Sequence, residues 1–139
     1  MSFEWVDHTG DLAVRLRASD LAGLIESGVY ALRALLFEGE PGPQGTTRCF
    51  ELSVSGLDRE DVLVQALSEA LHVLQEQDVF PTSVQAEVPS DRAARLRLEG
   101  SQADGRTLRR IEEIKAVTYH AVEIRERDGA LETSVVLDV

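Results

Sequence analysis

Two kinds of periodicity run along the chain. Leu12, Val14 and Leu16 alternate with Ala13, Arg15 and Arg17, the period-two signature of a half-buried strand. Asp11 shares the parity of the arginines, so it begins that strand on the side away from the core. Phe3 and Trp5 alternate with polar neighbours and predict a short preceding strand, joined through a turn at His8-Thr9-Gly10-Asp11. Leu21, Leu24, Ile25, Gly28, Leu32, Leu35 and Leu36 then recur at helical spacing behind Ser19 as N-cap. Gly28 within that stripe costs about 1 kcal/mol against alanine, which points to a close approach, to a sheet. Residues 40–45 form a Pro/Gly loop.

Phe50, Leu52 and Val54 predict a second core-facing strand, with Cys49 as a small packing residue. Asp58 caps a second helix, with Glu60 and Asp61 in its first turn, where they suit the helix dipole. Its apolar stripe is Leu63, Leu67, Ala70, Leu71 and Leu74, leaving Glu69 and His72 on the solvated side. Val84, Ala86 and Val88 predict a strand, turned at residues 89–92 into Ala94, Leu96 and Leu98. Residues 100–105 read as a loop, and 107–113 stand open between strand and short helix. Residues 116–125 favour a strand, Asp128-Gly129 a hairpin turn, and Leu131, Thr133, Val135 and Leu137 a last strand. The order predicts an α+β fold, two helices packed on one face of a mostly antiparallel sheet, in a single domain over 1–139.

Charge narrows the partners. A net −11 repels phosphate backbones at long range, so direct nucleic-acid binding is not expected and cations or basic protein surfaces are favoured. No apolar run approaches a membrane span, and one cysteine forms no internal disulfide, so a reducing cytoplasm is expected. There is no phosphate-binding glycine loop, no nucleophile elbow and no clustered Cys/His set for zinc. Oxygen chemistry remains. Asp11 starts the first core strand and Asp138 ends the last, with the α-carboxylate of Val139 beyond it. Converging carboxylates would suit a hard divalent cation. Read singly, Asp11 is also a turn residue and Asp138 a solvated strand end.

Lys115 is the sole lysine among arginines, in the word Ile114-Lys115-Ala116-Val117-Thr118-Tyr119-His120. That word, with His8-Thr9-Gly10-Asp11 and the terminal Asp138-Val139, resembles the archease family. Gly10 stands where alanine or serine is frequent in that family, and Leu137 where an aromatic is. The resemblance implies a doubled strand-helix-strand-strand arrangement and a divalent metal, calcium-type or magnesium or manganese, on Asp11, Asp138 and Val139. It further implies an activator of RtcB-type RNA ligases in tRNA splicing or RNA repair, without a reaction of its own. Lys115 is expected to contact the partner or a phosphate the partner holds. His8 and Thr9 support the turn, and His120, opposite in parity to Lys115, packs in the sheet. A metal-dependent phosphoester hydrolase using Asp11 and Asp138, and a general chaperone or scaffold with a structural metal, are the rival readings.

Overall fold

The computed structural model describes residues 1–8, 11–42 and 45–139, with the side chains of Asp7 and His8 outside that description. Ten strands and two helices occur among them, in three antiparallel sheets. Strands β1 (Ser2–His8) and β2 (Asp11–Ala18) form a hairpin in register from Ser2↔Arg17 to His8↔Asp11. Helix α1 (Leu21–Leu36) follows, then β3 (Phe37–Gly39), β4 (Thr47–Ser55) and helix α2 (Arg59–Glu76). Strands β5 (Val79–Ser90), β6 (Ala93–Gln102), β7 (Leu108–Arg110), β8 (Ala116–Val117), β9 (Arg125–Arg127) and β10 (Ala130–Asp138) complete the chain.

The sheet orders reveal a nested duplication. In the three-stranded sheet β6 lies between β4 and β5, with α2 connecting β4 to β5. In the five-stranded sheet β10 lies between β2 and β8, with β9 on the same edge as β8 and α1 following β2. The same strand-helix-strand-strand unit thus occurs twice, the second copy inserted between the helix and the closing strands of the first. Strands β3 and β7 pair where the chain enters and leaves the insert.

One core serves both units. Leu24, Ile25, Val29 and Leu32 of α1 and Leu63, Leu67 and Leu74 of α2 pack with Val14, Leu16, Val135 and Leu137, and with Leu96 and Leu98 of the smaller sheet. The helices cross closely. A Cβ on Gly28 would stand 2.5 Å from Leu67 Cδ2, so the glycine admits α2 rather than a sheet. Asp128 and Gly129 both adopt left-handed backbone, φ 51° and 76°, and make the expected two-residue hairpin between β9 and β10.

Several local expectations change. The cap of α1 is Asp20, whose carboxylate accepts from Gly23 N at 2.8 Å, not Ser19; the longer reach of the aspartate fits N3. Asp58 does cap α2, accepting from Asp61 N. Cys49 is exposed, because it shares the parity of Glu51 rather than that of half-buried Phe50. Residues 108–110 are strand, and β6 runs on to Gln102 before the loop begins. Residues 116–125 are not one strand: pairing to β10 breaks after Val117 and resumes at Arg125. His120 is exposed in a turn inside that break and does not pack in the sheet.

Candidate functional site

The site is built on register. Leu137 of β10 faces Leu12 of β2, so the next rung outward sets Asp138 beside Asp11. On the same transverse line His8 faces Asp11 on β1, and Ala116 faces Asp138 on β8. Val14, Leu16, Val135 and Leu137 occupy the helix-facing side of their strands. Asp11 and Asp138 have the opposite parity and are exposed on the outer face at one end of the sheet. The acidic start of β2 and the tail of β10 therefore meet, on one side. Thr9 and the side chain of His8 lie outside the described residues.

Residues directly across adjacent antiparallel strands stand about 5 Å apart, and like charges so placed destabilise the pair. A cation would relieve that opposition. Among the described residues no three histidine, cysteine or carboxylate side chains gather as a metal shell. The donors at hand are two carboxylates, with the main-chain oxygens of exposed Val139 next along β10. That all-oxygen, incomplete set fits a hard divalent ion that keeps several waters.

The third sequence word arrives at the same end. Lys115 N donates to Asp138 O at 2.7 Å, which ties the backbone of the lysine to the strand end that carries Asp138. Its side chain is exposed and makes no ion pair among the described residues. Thr118 N and Oγ1 both donate to Val136 O, at 2.9 and 3.0 Å, and hold the next turn against β10.

Helix α2 supplies anchors that the sequence did not reveal. Gln75 brackets Ile114: its Oε1 accepts from Ile114 N at 2.7 Å and its Nε2 donates to Ile114 O at 2.9 Å. Glu60 accepts from Ile124 N at 2.9 Å, and Arg59 donates to Ile124 O at 2.9 Å. Side chains thus stand in for a missing strand at each end of the irregular edge, while Ile114, Val117 and Ile124 are buried beneath it. Between these brackets the Tyr119 hydroxyl donates to Asp61 Oδ1 and accepts from Gln65 Nε2, both at 2.8 Å. The Leu57 amide, then the Tyr119 hydroxyl, hold the Asp61 carboxyl below its ordinary range. Donation to Asp61 raises Tyr119 above the ordinary phenol range. In sequence, Glu60 and Asp61 stand out only as first-turn acids that suit the helix dipole.

Of the arginines that cluster at 92–97 and 106–110, four form ion pairs. Arg95 pairs with Glu87 at 3.0 Å, Arg97 with Glu99 at 3.0 Å, Arg109 with Glu38 at 2.6 Å and Arg110 with Asp78 at 2.9 Å. No helix is long and apolar enough to cross a membrane, among the described residues.

The chain is similar throughout to known proteins. A model of the Archease protein family (MTH1598/TM1083) matches residues 3–139. The chain is 26% identical over 141 residues to protein archease of Methanothermobacter thermautotrophicus, covering 99% of this chain and 98% of that one. Against protein archease of Methanosarcina barkeri the identity is 25% over 141 residues, covering 99% and 95%. Among solved structures, the solution structure of Methanobacterium thermoautotrophicum protein 1598 superposes with a TM-score of 0.73 at 25% identity, over 99% of this chain and 98% of that one. An archease of Thermotoga maritima, described as a possible chaperone, shares the fold with a TM-score of 0.68 at 17% identity, over 96% and 94%.

Proposed function

The chain belongs to the archease family, and from that membership and the meeting of Asp11 with Asp138 we propose that it activates an RNA ligase of the RtcB type, in tRNA splicing or RNA repair. It promotes guanylation of the ligase and so multiple turnover, and it carries out no reaction of its own. The observation that carries the reading is the carboxylate pair on the outer face, with Lys115 attached to the same strand end. Asp11, Asp138 and the main-chain oxygens of Val139 would hold a divalent cation of the calcium type, or magnesium or manganese. Such an ion supplies neutralisation of phosphoryl charge. The residues do the rest. The pair presents concentrated negative charge to a basic surface of the ligase, and Lys115 offers a compact ammonium to the partner or to a phosphate the partner holds. The Gln75 bracket holds the lysine-bearing segment to α2 before any partner arrives.

The test is a ligation assay with the cognate ligase, run with ligase limiting. Asp11→Ala and Asp138→Ala should retain the fold and lose stimulation. Full stimulation by either variant overturns the role of the pair. Turnover of a nucleotide or phosphoester by the chain alone would favour a hydrolase. Protection of unrelated proteins from aggregation, unchanged in both variants, would favour the chaperone description given to the Thermotoga relative.

A further inference from the structure

The outer face of the five-stranded sheet holds a second feature, which the carboxylate pair does not use. Beyond Asp11 on that face come Ala13, Arg15 and Arg17 of β2, and beyond Asp138 come Val136, Ser134 and Glu132 of β10. Ala13 and Val136 are each 3% exposed although they face away from the helices, so the face is sunk at that rung. A pocket opens beyond it, lined by Arg15, Ser134, Glu132, Arg125, Glu123 and Ala121. Four residues of strand separate Asp11 from Arg15, about 13 Å.

Three of the four charged groups in the lining are engaged. Arg125 pairs with Glu123 at 2.9 Å, and Glu132 pairs with Arg17. Arg15 is the exception. Glu4 is its cross-strand neighbour on β1, yet Arg15 makes no ion pair or side-chain hydrogen bond among the described residues. Around it Arg15, Arg17, Arg125 and Arg127 offset Glu4, Glu123, Glu132 and Asp128, a locally balanced patch on a chain of net charge −11. The opposite wall is independently unusual. Ala121 holds φ 57°, a left-handed backbone that strains any side-chain-bearing residue and recurs where a loop clamps a ligand.

We propose that this pocket binds a phosphoryl group, anchored by the Arg15 guanidinium with the Ser134 hydroxyl as a second donor. The planar fork of arginine takes two oxygens at once. A phosphoryl group fills that fork with two oxygens and offers a third to the serine. The ligand class is a phosphoryl group, free as inorganic phosphate or carried as the phosphate tail of a nucleotide. The site is separate from the ligase reading, because binding is read on this chain alone.

The experiment is an amide NMR titration of the metal-free chain in chelator, with inorganic phosphate and, in a second arm, a nucleoside 5′-diphosphate. Ionic strength is held with chloride. Saturable shifts at Ala121 and Ser134 are expected in the wild type, weakened tenfold or more in Arg15→Gln. Arg92→Gln, in the turn of the smaller sheet, should bind as the wild type does. Tighter binding in the second arm assigns a nucleotide, and equal binding assigns free phosphate; either supports the site. Absence of saturable shifts, shifts reproduced by chloride, or undiminished binding by a folded Arg15→Gln overturns it.

Discussion

Replacing Asp138 by asparagine should stabilise the metal-free chain and destabilise the metal-bound one relative to wild type. Asp138 and Asp11 stand on the same rung of the adjacent strands β10 and β2, on one exposed face, so their carboxylates oppose each other across about 5–6 Å. Coulomb's law at that separation gives about 0.7 kcal/mol in a water-like dielectric and about 3 kcal/mol at the effective dielectric of a protein surface. Salt and solvent exposure pull the value toward the lower figure, so about 1 kcal/mol is expected near physiological ionic strength. For a chain of 139 residues that corresponds to a melting shift of about 3 °C. Calcium reverses the order. An ion at a hundred times its dissociation constant adds about 2.7 kcal/mol to a chain that binds it only when folded, and the asparagine variant forfeits most of that gain. Thermal or urea denaturation in chelator and in calcium, each at two salt concentrations, reads both halves. The reasoning fails if the variant is the less stable chain in chelator, or if calcium stabilises both equally.

Two further outcomes follow from other parts of the molecule. Gln75→Ala removes both bonds to the backbone of buried Ile114 and should cost about 2 kcal/mol in urea unfolding. Hydrogen exchange should accelerate at Ile114 but not at Val135, and equal acceleration at both would refute a local anchoring role. Asp104 is held at about 2 by the Arg106 and Leu108 amides and the Thr107 hydroxyl, below its ordinary 3.8. A depressed carboxylate stabilises the fold above its unfolded value, and that contribution disappears as pH falls from about 4 through about 2. A carboxyl-carbon NMR titration checks this: a midpoint at the ordinary value, or an Asp104→Asn variant with unchanged acid unfolding, would contradict it.

The legible parts of the sequence are those where one element buries one face. Leu12, Val14 and Leu16 announce β2, and the stripe from Leu63 to Leu74 announces α2, because burial repeats with the geometry of the element. The same parity placed Asp11 on the outer face. Residues 116–125 misled for a physical reason. Their β-branched and aromatic content suits a strand, but the backbone at Ile114 and Ile124 is satisfied by Gln75, Glu60 and Arg59 of α2, so no ladder is required there. Sequence periodicity records which side chains are buried, not which groups satisfy the main chain. Gly28 marks a close approach in sequence, yet nothing local says that its neighbour is Leu67 of the other helix rather than a sheet.

The convergence of Asp11 and Asp138 belongs to a different level again. Each position's face follows from parity, but their adjacency follows from the order of the sheet. Had β10 paired only with β9 and β8, on one of its edges, the tail would lie far from β2. Instead the second strand-helix-strand-strand unit, β4 through β6, is inserted within the first, and β10 returns to close the unit that β2 opened. The outer unit then holds its first strand and its last side by side, however long the insert between them. The side-by-side strands carry Asp11 and Asp138, and β8 brings Lys115 to the same end by pairing with β10. Changes in the insert that preserve the packing of α2 against this sheet therefore leave the carboxylate pair in place, whereas a register shift of one residue in β10 would turn Asp138 toward the helices and separate the two acids.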